Sequence, residues 1–329
     1  MRVLVTGGAG YIGSHAIQAL KKAGHSPVCV DNLSRGHRAA VPDDVPFFQL
    51  DVRQTEELRS LLVGQAIECV MHFAAYAYVG ESVTEPLLYY DNNTRGTHSV
   101  LAAIEAAKIQ RLVFSSTCAT YGEPKEMPIR ETTPQAPINP YGASKWMSER
   151  MIQDFAHKTP GFSYALLRYF NVAGSAEDGS IGEDHDPETH LIPVILQAAL
   201  GRRAQVTIFG DDYPTADGTC IRDYIHVEDL VEAHIAVMQA LAPGDARIYN
   251  LGIGRGLSVL EILSAAERVI GRPIARSVGA RRPGDPPALF ADAEKIAREI
   301  GWRARRTDIE AAIRSAYRFI EAHPKGYGD

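Results

Sequence analysis

Thr6-Gly7-Gly8-Ala9-Gly10-Tyr11-Ile12-Gly13 stands between an apolar run, Val3 to Thr6, and a segment of helical character, Ile12 to Ala23. It holds Gly8-x-Gly10-x-x-Gly13 and, overlapping it, Gly7-x-x-Gly10-x-x-Gly13. Glycines so spaced let the chain turn tightly and approach a pyrophosphate, which rests on the positive end of the following helix. The spacing alone is weak, because glycines also make ordinary turns. The strand before and the helix after are the context that the mechanism requires. Asp31 ends a second strand, Pro27 to Asp31, at about the 20-residue distance of an acid that binds ribose hydroxyls. A carboxylate there repels a 2′-phosphate, which favours NAD over NADP. The bland alternative is a turn followed by a surface aspartate.

Outward from this loop, strand-like and helix-like segments alternate. Pro46 to Leu50, Ile67 to Phe73 and Arg111 to Ser115 are short apolar runs, with helical stretches such as Gly96 to Lys108 between them. This alternation predicts an α/β fold, a Rossmann-type doubly wound parallel sheet with helices on both faces. After Phe170 the rhythm loosens. Asn171 to Glu188 reads as a loop, with helices at about His190 to Leu200 and Asp229 to Ala240, and Arg247 to Leu251 again looks like a buried strand. A smaller, interleaved C-terminal α/β region is expected. The nucleotide-binding part then covers 1–170, with about 223–252 returning to it, and the substrate-binding part covers 171–222 and 253–329.

The bulk composition limits the function classes. A 329-residue chain with 45% hydrophobic and 22% charged residues can bury a sizeable core without disulfides or metals. A net charge of -6 argues against binding nucleic acid or an anionic membrane by bulk attraction. Cys29, Cys69, Cys118 and Cys220 form no C-x-x-C pair, as in a protein of the reducing cytoplasm. The apolar start is too short for a signal peptide, and no run approaches a membrane span.

The chemistry points to Tyr141-Gly-Ala-Ser-Lys145, which opens a helix after Pro134 to Pro140. An i, i+4 spacing puts Tyr141 and Lys145 on one helix face. A phenol with a pKa of about 10 is a poor base near neutrality, and lowering it by about three units takes about 4 kcal/mol. A neighbouring ammonium and an oxidised nicotinamide both act in that direction. Phe114-Ser-Ser-Thr-Cys-Ala-Thr-Tyr-Gly122 follows a buried strand, where α/β enzymes gather ligand groups. Thr117 there is placed to hydrogen-bond a reacting oxygen and Tyr141, although strand-end caps are also commonly Ser or Thr.

Taken together, the nucleotide loop, the Ser/Thr strand end and Tyr-x-x-x-Lys resemble the extended short-chain dehydrogenase/reductase family. Val5-Thr-Gly-Gly-Ala-Gly-Tyr-Ile-Gly-Ser-His15, Tyr89-Tyr-Asp-Asn-Asn93, Leu167-Arg-Tyr-Phe-Asn171 and Arg222-Asp-Tyr-Ile-His226 resemble its UDP-glucose 4-epimerase branch, and the similarity spans essentially the whole chain. The resemblance implies a tightly held NAD, regenerated in each cycle, a UDP-sugar substrate and a homodimer paired through helices near Tyr89 to Lys108 and Tyr141 to His157. It implies the cofactor contacts Gly7, Gly10, Tyr11, Ile12, Gly13, Asp31, Asn32, Asp51, Val52, Phe73, Ala74, Ala75, Asn92, Tyr141, Lys145 and Phe170. Ala77 stands where relatives often carry Lys. For the UDP-sugar it implies Thr117, Asn171, His190, Leu191, Thr207, Ile208, Phe209, Arg222, Arg282, Asp285 and Leu289. Arginines suit diphosphate because the planar fork makes paired, charge-assisted contacts. His190 replaces an Asn of some relatives, and Leu289 is intermediate between the bulky residue of strict hexose enzymes and the small one that accompanies N-acetylated substrates.

The implied reaction inverts C4 of a UDP-hexose, with Tyr141 as base, Lys145 on the nicotinamide ribose and Thr117 on the sugar oxygen. A 4,6-dehydratase shares the fold and cofactor, but such relatives carry Asp-Glu after the strand-end Thr, where this chain has Cys118 and Ala119. A dehydrogenase that releases NADH and a catalytically silent NAD-binding scaffold are the other readings. Asp184-His185-Asp186 with His190 fits no standard metal spacing and reads as a solvated acidic loop.

Overall fold

Val3, Leu4 and Val5 are all fully buried, so the first strand is apolar on both faces, as a central parallel strand must be. The computed structural model describes residues 1–282 and 285–328; Asp329, which closes the Gly-Tyr-Gly-Asp end, lies outside the described residues. Strands β1 (Arg2–Thr6), β2 (Ser26–Asp31), β3 (Phe47–Gln49), β4 (Cys69–His72), β5 (Arg111–Thr117) and β6 (Ser163–Tyr169) belong to one sheet. The short strands β7 (Asn171–Ala173), β8 (Val206–Phe209) and β9 (Ile221–His226) follow, and then β10 (Ala246–Leu251) returns to the first sheet. Its order is β10-β6-β5-β4-β1-β2-β3, with every neighbouring pair parallel. This is the expected Rossmann-type layer. The order reverses between β1 and β4, and the crevice at their carboxyl ends is where such sheets take their ligands.

Helices α1 (Tyr11–Lys22), α2 (Thr55–Gly64), α3 (Val79–Thr84), α4 (Pro86–Tyr89), α5 (Gly96–Ala107), α6 (Pro140–Lys158), α7 (Leu191–Ala199) and α8 (Val227–Ala240) run along the chain in that order. Val3, Val5, Ile17 and Leu20 pack with Leu230 and Met238 on one face of the large sheet. Leu4, Val70, Leu58, Leu62 and Ile104 fill the other face. Two layers of helices thus cover a sheet whose strands need no polar face.

The second region holds β11 (Gly256–Ser258), α9 (Val259–Ile270), β12 (Arg276–Gly279), β13 (Ala288–Leu289), α10 (Glu294–Ile300), α11 (Ile309–Ala322) and β14 (Pro324–Tyr327). Here β9 pairs with β7, β11 and β13, while β8 pairs with β12. The stretch after Phe170 is therefore not loop from its start, since Asn171–Ala173 pairs with β9. The boundary drawn at about residue 223 falls inside β9, and α8 is the element that carries the chain back to the large sheet.

One buried network joins the layers. Arg168 on β6 donates from Nε and Nη2 to the two carboxylate oxygens of Glu149 on α6, at 2.9 and 2.6 Å. Ser116 Oγ on β5 and Gln135 Nε2 donate to the same carboxylate at 2.5 and 2.9 Å. Removing one partner of a buried pair leaves an uncompensated charge, at a cost of about 3–5 kcal/mol. Arg168→Met should therefore lower the urea midpoint by that equivalent, and adding Glu149→Met should recover much of the loss. An unchanged midpoint in the single variant would remove the pair from any structural role.

Candidate active site

The loop after β1 has the shape a dinucleotide needs. Gly7 has φ +69°, and a Cβ there would stand 2.6 Å from the Ala74 nitrogen after β4. A Cβ on Gly13 would stand 2.1 Å from the Gly7 carbonyl oxygen, so side chains at either position would push helix and strand apart. Gly10 caps α1 with no side-chain hydrogen bond. The first amides of the helix, at Tyr11 and Ile12, are left to an anion, as the pyrophosphate role requires. Tyr11 Oη donates to the Gly174 carbonyl at 2.5 Å, which ties this loop to the second region.

Asp31 is buried at the end of β2, and its two oxygens accept from the Ala9 and Leu33 amides at 3.0 and 2.8 Å. Burial pushes its carboxyl up, and those amides act the other way. Asn32 Nδ2 donates to Asp51 at 3.0 Å, and Arg53 holds both Asp51 oxygens at 2.9 and 2.7 Å. The Arg53 hydrogen bonds hold the Asp51 carboxyl well below the usual carboxylate range. Val52 is buried, and its carbonyl accepts from Ser99 at 2.6 Å. Phe73 and Ala74 leave β4 beside Gly7; Ala75 follows them, and Ala77 is exposed.

Asn139 starts the helix that carries the reactive pair. Its Oδ1 accepts from the Gly142 amide at 2.8 Å, and Pro140 occupies the first helical position. A Cβ on Gly142 would stand 2.4 Å from the Ala119 carbonyl oxygen. Glycine between Tyr141 and Lys145 thus lets α6 lie against the turn after Thr117. Tyr141, Lys145 and Thr117 are all buried, and Tyr141 is hydrogen-bonded to Thr117. Lys145 Nζ donates to the Ser115 carbonyl at 2.8 Å and lies 4.9 Å from the Phe114 ring centre.

The electrostatics correct one expectation. Burial and neighbouring Tyr169 push the Tyr141 phenol well up, and only the Thr117 hydrogen bond acts the other way. Burial pulls the Lys145 ammonium down to about 7, against the attraction of Glu149. Lys145 alone therefore does not make the phenol acidic, since desolvation outweighs its charge at this depth. A further positive charge is needed, and the ring of an oxidised nicotinamide is of the right kind.

The residues expected to hold the UDP-sugar divide. Asn171 on β7 lies opposite Tyr224 on β9, and Leu289 on β13 opposite Arg222 on β9. Phe170 and Leu289 share one apolar cluster with Tyr121 and Ile129. Arg222 ion-pairs with Asp285, and the Arg282 guanidinium lies 4.0 Å from the centre of the Phe209 ring. On β8, Thr207 and Phe209 are accessible, but Ile208 points into the second core and offers a ligand only its backbone. Leu191 opens α7, yet the imidazole of His190 turns away to the carboxylate of Glu183. The loop around His185 is not a solvated acidic loop either, because Glu183 and Glu188 are buried.

Asn92 was expected at the cofactor, whereas Asn93 and Tyr169 were given no role of their own in the sequence reading. Asn92 is buried in a six-residue π-helical stretch, Tyr90–Arg95, a feature frequent at functional sites. Its neighbour Asn93 bonds both backbone groups of Tyr76 at 2.8 and 3.0 Å and Ser144 Oγ at 3.0 Å, joining the segment after β4 to α6. Tyr169 Oη lies 2.5 Å from Ser115 Oγ beside the reactive pair. The Asn-Asn dipeptide was the visible signal for the first; nothing local marks the second.

Residues 3–252 match the NAD dependent epimerase/dehydratase family. A UDP-glucose 4-epimerase of Lactobacillus helveticus is 50% identical over 330 residues, covering 100% of each chain. The structure of UDP-glucose 4-epimerase from Brucella ovis in complex with NAD superimposes with a TM-score of 0.93 at 47% identity, over 97% of this chain and 98% of that one. The enzyme from Bifidobacterium longum in complex with NAD+ and UDP gives a TM-score of 0.95 at 38% identity, over 99% of this chain and 100% of the other.

The depressed Lys145 also sets a pH dependence. Between about 7 and the ordinary lysine range the unfolded chain binds the proton that the folded chain has lost, so stability rises with pH across that window. In protein stripped of dinucleotide, Lys145→Met should flatten this rise in urea denaturation between pH 7 and 10. An equal slope in both proteins would show that Lys145 is not buried as described.

Proposed function

The chain belongs to the NAD dependent epimerase/dehydratase family, and from that membership we propose that it interconverts UDP-galactose and UDP-glucose by inverting C4 of the hexose. The observation that carries this reading is Tyr141, Lys145 and Thr117 buried together at the carboxyl end of β5, with Cys118 and Ala119 directly after Thr117. Ala119 has no titratable group, and burial pushes the Cys118 thiol up to about 12. Elimination of water across C5 and C6 lacks its acid and base here, which leaves C4 chemistry.

NAD, held in the crevice at the carboxyl ends of β1 and β4, would supply the hydride chemistry at C4, acceptance from one face of the sugar and return to the other. Tyr141 takes the proton of the 4-hydroxyl and gives it back after inversion. Thr117, already hydrogen-bonded to that phenol, steadies the sugar oxygen. Lys145, anchored on the Ser115 carbonyl, is held where its ammonium favours the phenolate once the nicotinamide adds its charge. Asp31, Asn32 and the amides of α1 hold the adenosine half and the pyrophosphate. Arg222, Arg282, Asp285, Thr207 and Phe209 hold the uridine diphosphate, and Leu289 sets the depth of the sugar pocket. The sugar, tethered by its nucleotide, is free to present either face.

The large sheet with α8 and β10 forms the cofactor half, and the β7, β8 and β9 elements with the C-terminal helices form the substrate half. The cytoplasm is the proposed compartment. It is supported by four unpaired cysteines, and no helix of the described residues is long and apolar enough to cross a membrane. A homodimer is supported by Leu87, Leu88, Trp146 and Met147, large apolar side chains left exposed on α4 and α6.

Turnover of UDP-galactose without added NAD should yield UDP-glucose with no accumulation of NADH, and Tyr141→Phe should lower the rate at least 10²–10⁴-fold while retaining UDP. Near-normal turnover in that variant would displace Tyr141 as the base. Conversion of UDP-N-acetylgalactosamine in parallel would show that Leu289 leaves room for the acetamido group. In light scattering, Leu87→Glu with Trp146→Glu should halve the molar mass of the wild-type protein; a wild-type monomer would end the dimer proposal.

A further inference from the structure

Between β7 and α7 the chain reads Glu183-Asp-His185-Asp-Pro-Glu188-Thr-His190, a Glu-x-His unit repeated after five positions. The structure folds the two units onto one another. His185 Nδ1 lies 3.2 Å from Glu183 Oε1 and 3.7 Å from Glu188 Oε2. His190 Nδ1 meets Glu183 Oε1 and lies 3.8 Å from Glu188 Oε1. One donor atom from each of the four side chains falls within 4.8 Å of the other three. The intervening Asp184 faces elsewhere, its Oδ2 accepting from the Tyr327 amide at 2.9 Å, and the backbone carbonyl of Asp186 accepts from Arg35 at 3.0 Å.

Simple ion pairing does not account for this arrangement. An imidazole paired to one carboxylate would point its N–H at one oxygen. His185 Nδ1 instead stands between two carboxylates, is buried, and makes no hydrogen bond among the described residues. Donors bound at 2.0–2.2 Å to a tetrahedral ion stand roughly 3.3–3.6 Å from one another. Three of the four imidazole–carboxylate separations, 3.2, 3.7 and 3.8 Å, the last two to different oxygens of Glu188, bracket that value. His190 Nδ1 stands closer to Glu183 Oε1, where an ion would have to part the two. Glu188 is already oriented, since its Oε1 accepts from the Thr189 and His190 amides at 2.7 and 2.8 Å. Tyr78 closes one side with its ring edge-on to both imidazoles.

We propose that Glu183, His185, Glu188 and His190 bind one divalent transition-metal ion of the zinc class, each side chain giving one donor atom. Two imidazole nitrogens select against calcium and magnesium, which take oxygen ligands. Two carboxylates balance the charge of the ion. Four protein donors complete a tetrahedral shell, so the site is structural and not catalytic. It fastens the loop against the β2–β3 segment through Arg35 and His37, which reach the carbonyls of Asp186 and Asp184. It also fixes the amino end of α7. The site does not depend on which sugar the enzyme accepts.

The full-length protein with its dinucleotide is treated with chelator, exposed to excess Zn²⁺, passed through a desalting column and assayed for metal. About one zinc per chain is expected in the wild type and in the surface control His98→Gln, and less than a tenth of that in His185→Gln and Glu183→Gln. Co²⁺ in place of Zn²⁺ should give a visible ligand-field band in the wild type that both site variants lack. Circular dichroism and retained dinucleotide identify variants that still fold. Should either site variant fail that check, the cobalt band of the wild type and its bleaching by one equivalent of Zn²⁺ decide the matter. Absence of retained zinc and of the cobalt band in the wild type, or equal zinc in wild type and folded site variants, would overturn the proposal.

Discussion

Everything at the reactive centre hangs on where α6 lies against the large sheet, and the Arg168–Glu149 pair fixes that position. Tyr141, Lys145 and Glu149 follow one another at four-residue intervals, so they share a helix face turned to the sheet. Glu149 is held by β6 through Arg168 and by β5 through Ser116, the residue before Thr117. A slip of α6 by one turn would break four charge-assisted contacts at once. Apolar packing alone is less selective, because small-residue and aliphatic contacts tolerate sliding. A buried ion pair is weak evidence for net stability, and its contribution here is better read as register. Arg168 also donates to Tyr121 Oη at 2.9 Å, and Tyr121 donates in turn to Asn250 on β10 at 2.7 Å. The network therefore reaches the returning strand and the turn that borders the sugar pocket.

Fixing α6 at depth has an electrostatic consequence. The burial that orients Tyr141 and Lys145 also disfavours both of their charged forms, so the protein alone holds a neutral phenol beside a lysine that titrates near 7. Such a pair is inactive as a base until a positive charge arrives. In a dry site that charge acts strongly, because little solvent screens it. On the proposed role of Tyr141, the base would be available when oxidised cofactor is in place, which would tie proton removal to the presence of a hydride acceptor.

Much of this was legible in the sequence, for reasons that differ by element. Val3 to Thr6, Gly7 to Gly13 and Asp31 read clearly because glycine spacing, helix start and strand end are all local and all constrained by one ligand. Tyr141 and Lys145 read clearly because helix periodicity puts them together. Asn93, Tyr169 and Arg168 did not stand out, since their partners lie 51, 54 and 19 residues away along the chain. The inward side chain of Ile208 was not separated from its neighbours in the sequence reading, because a three-residue run on a strand cannot send all its side chains to one face. The partner of the His190 imidazole was not legible, because it has two carboxylates to choose from and only the folded loop shows which it meets.

The interleaving of the chain explains why the sugar pocket is built from so many segments. Leu289 arrives on β13, which is attached to the fold by its pairing with β9 at Ile221 and Arg222. Phe170 ends the stretch that leaves β6, directly before β7 pairs with that same β9. The two meet in one small apolar cluster with Tyr121, beyond the turn that follows Thr117. On the proposed assignment, the nucleotide-binding groups on β8 and β9 and the reactive pair on α6 stand on different elements, with this cluster beside the turn after Thr117. On that proposal, a substrate held by its diphosphate on the second region would present its sugar to the chemistry on α6. Inversion, so proposed, needs the sugar to offer both faces while its handle stays put, and the side chains of Phe170 and Leu289, which have no hydrogen-bonding group, would leave that turn free on their side.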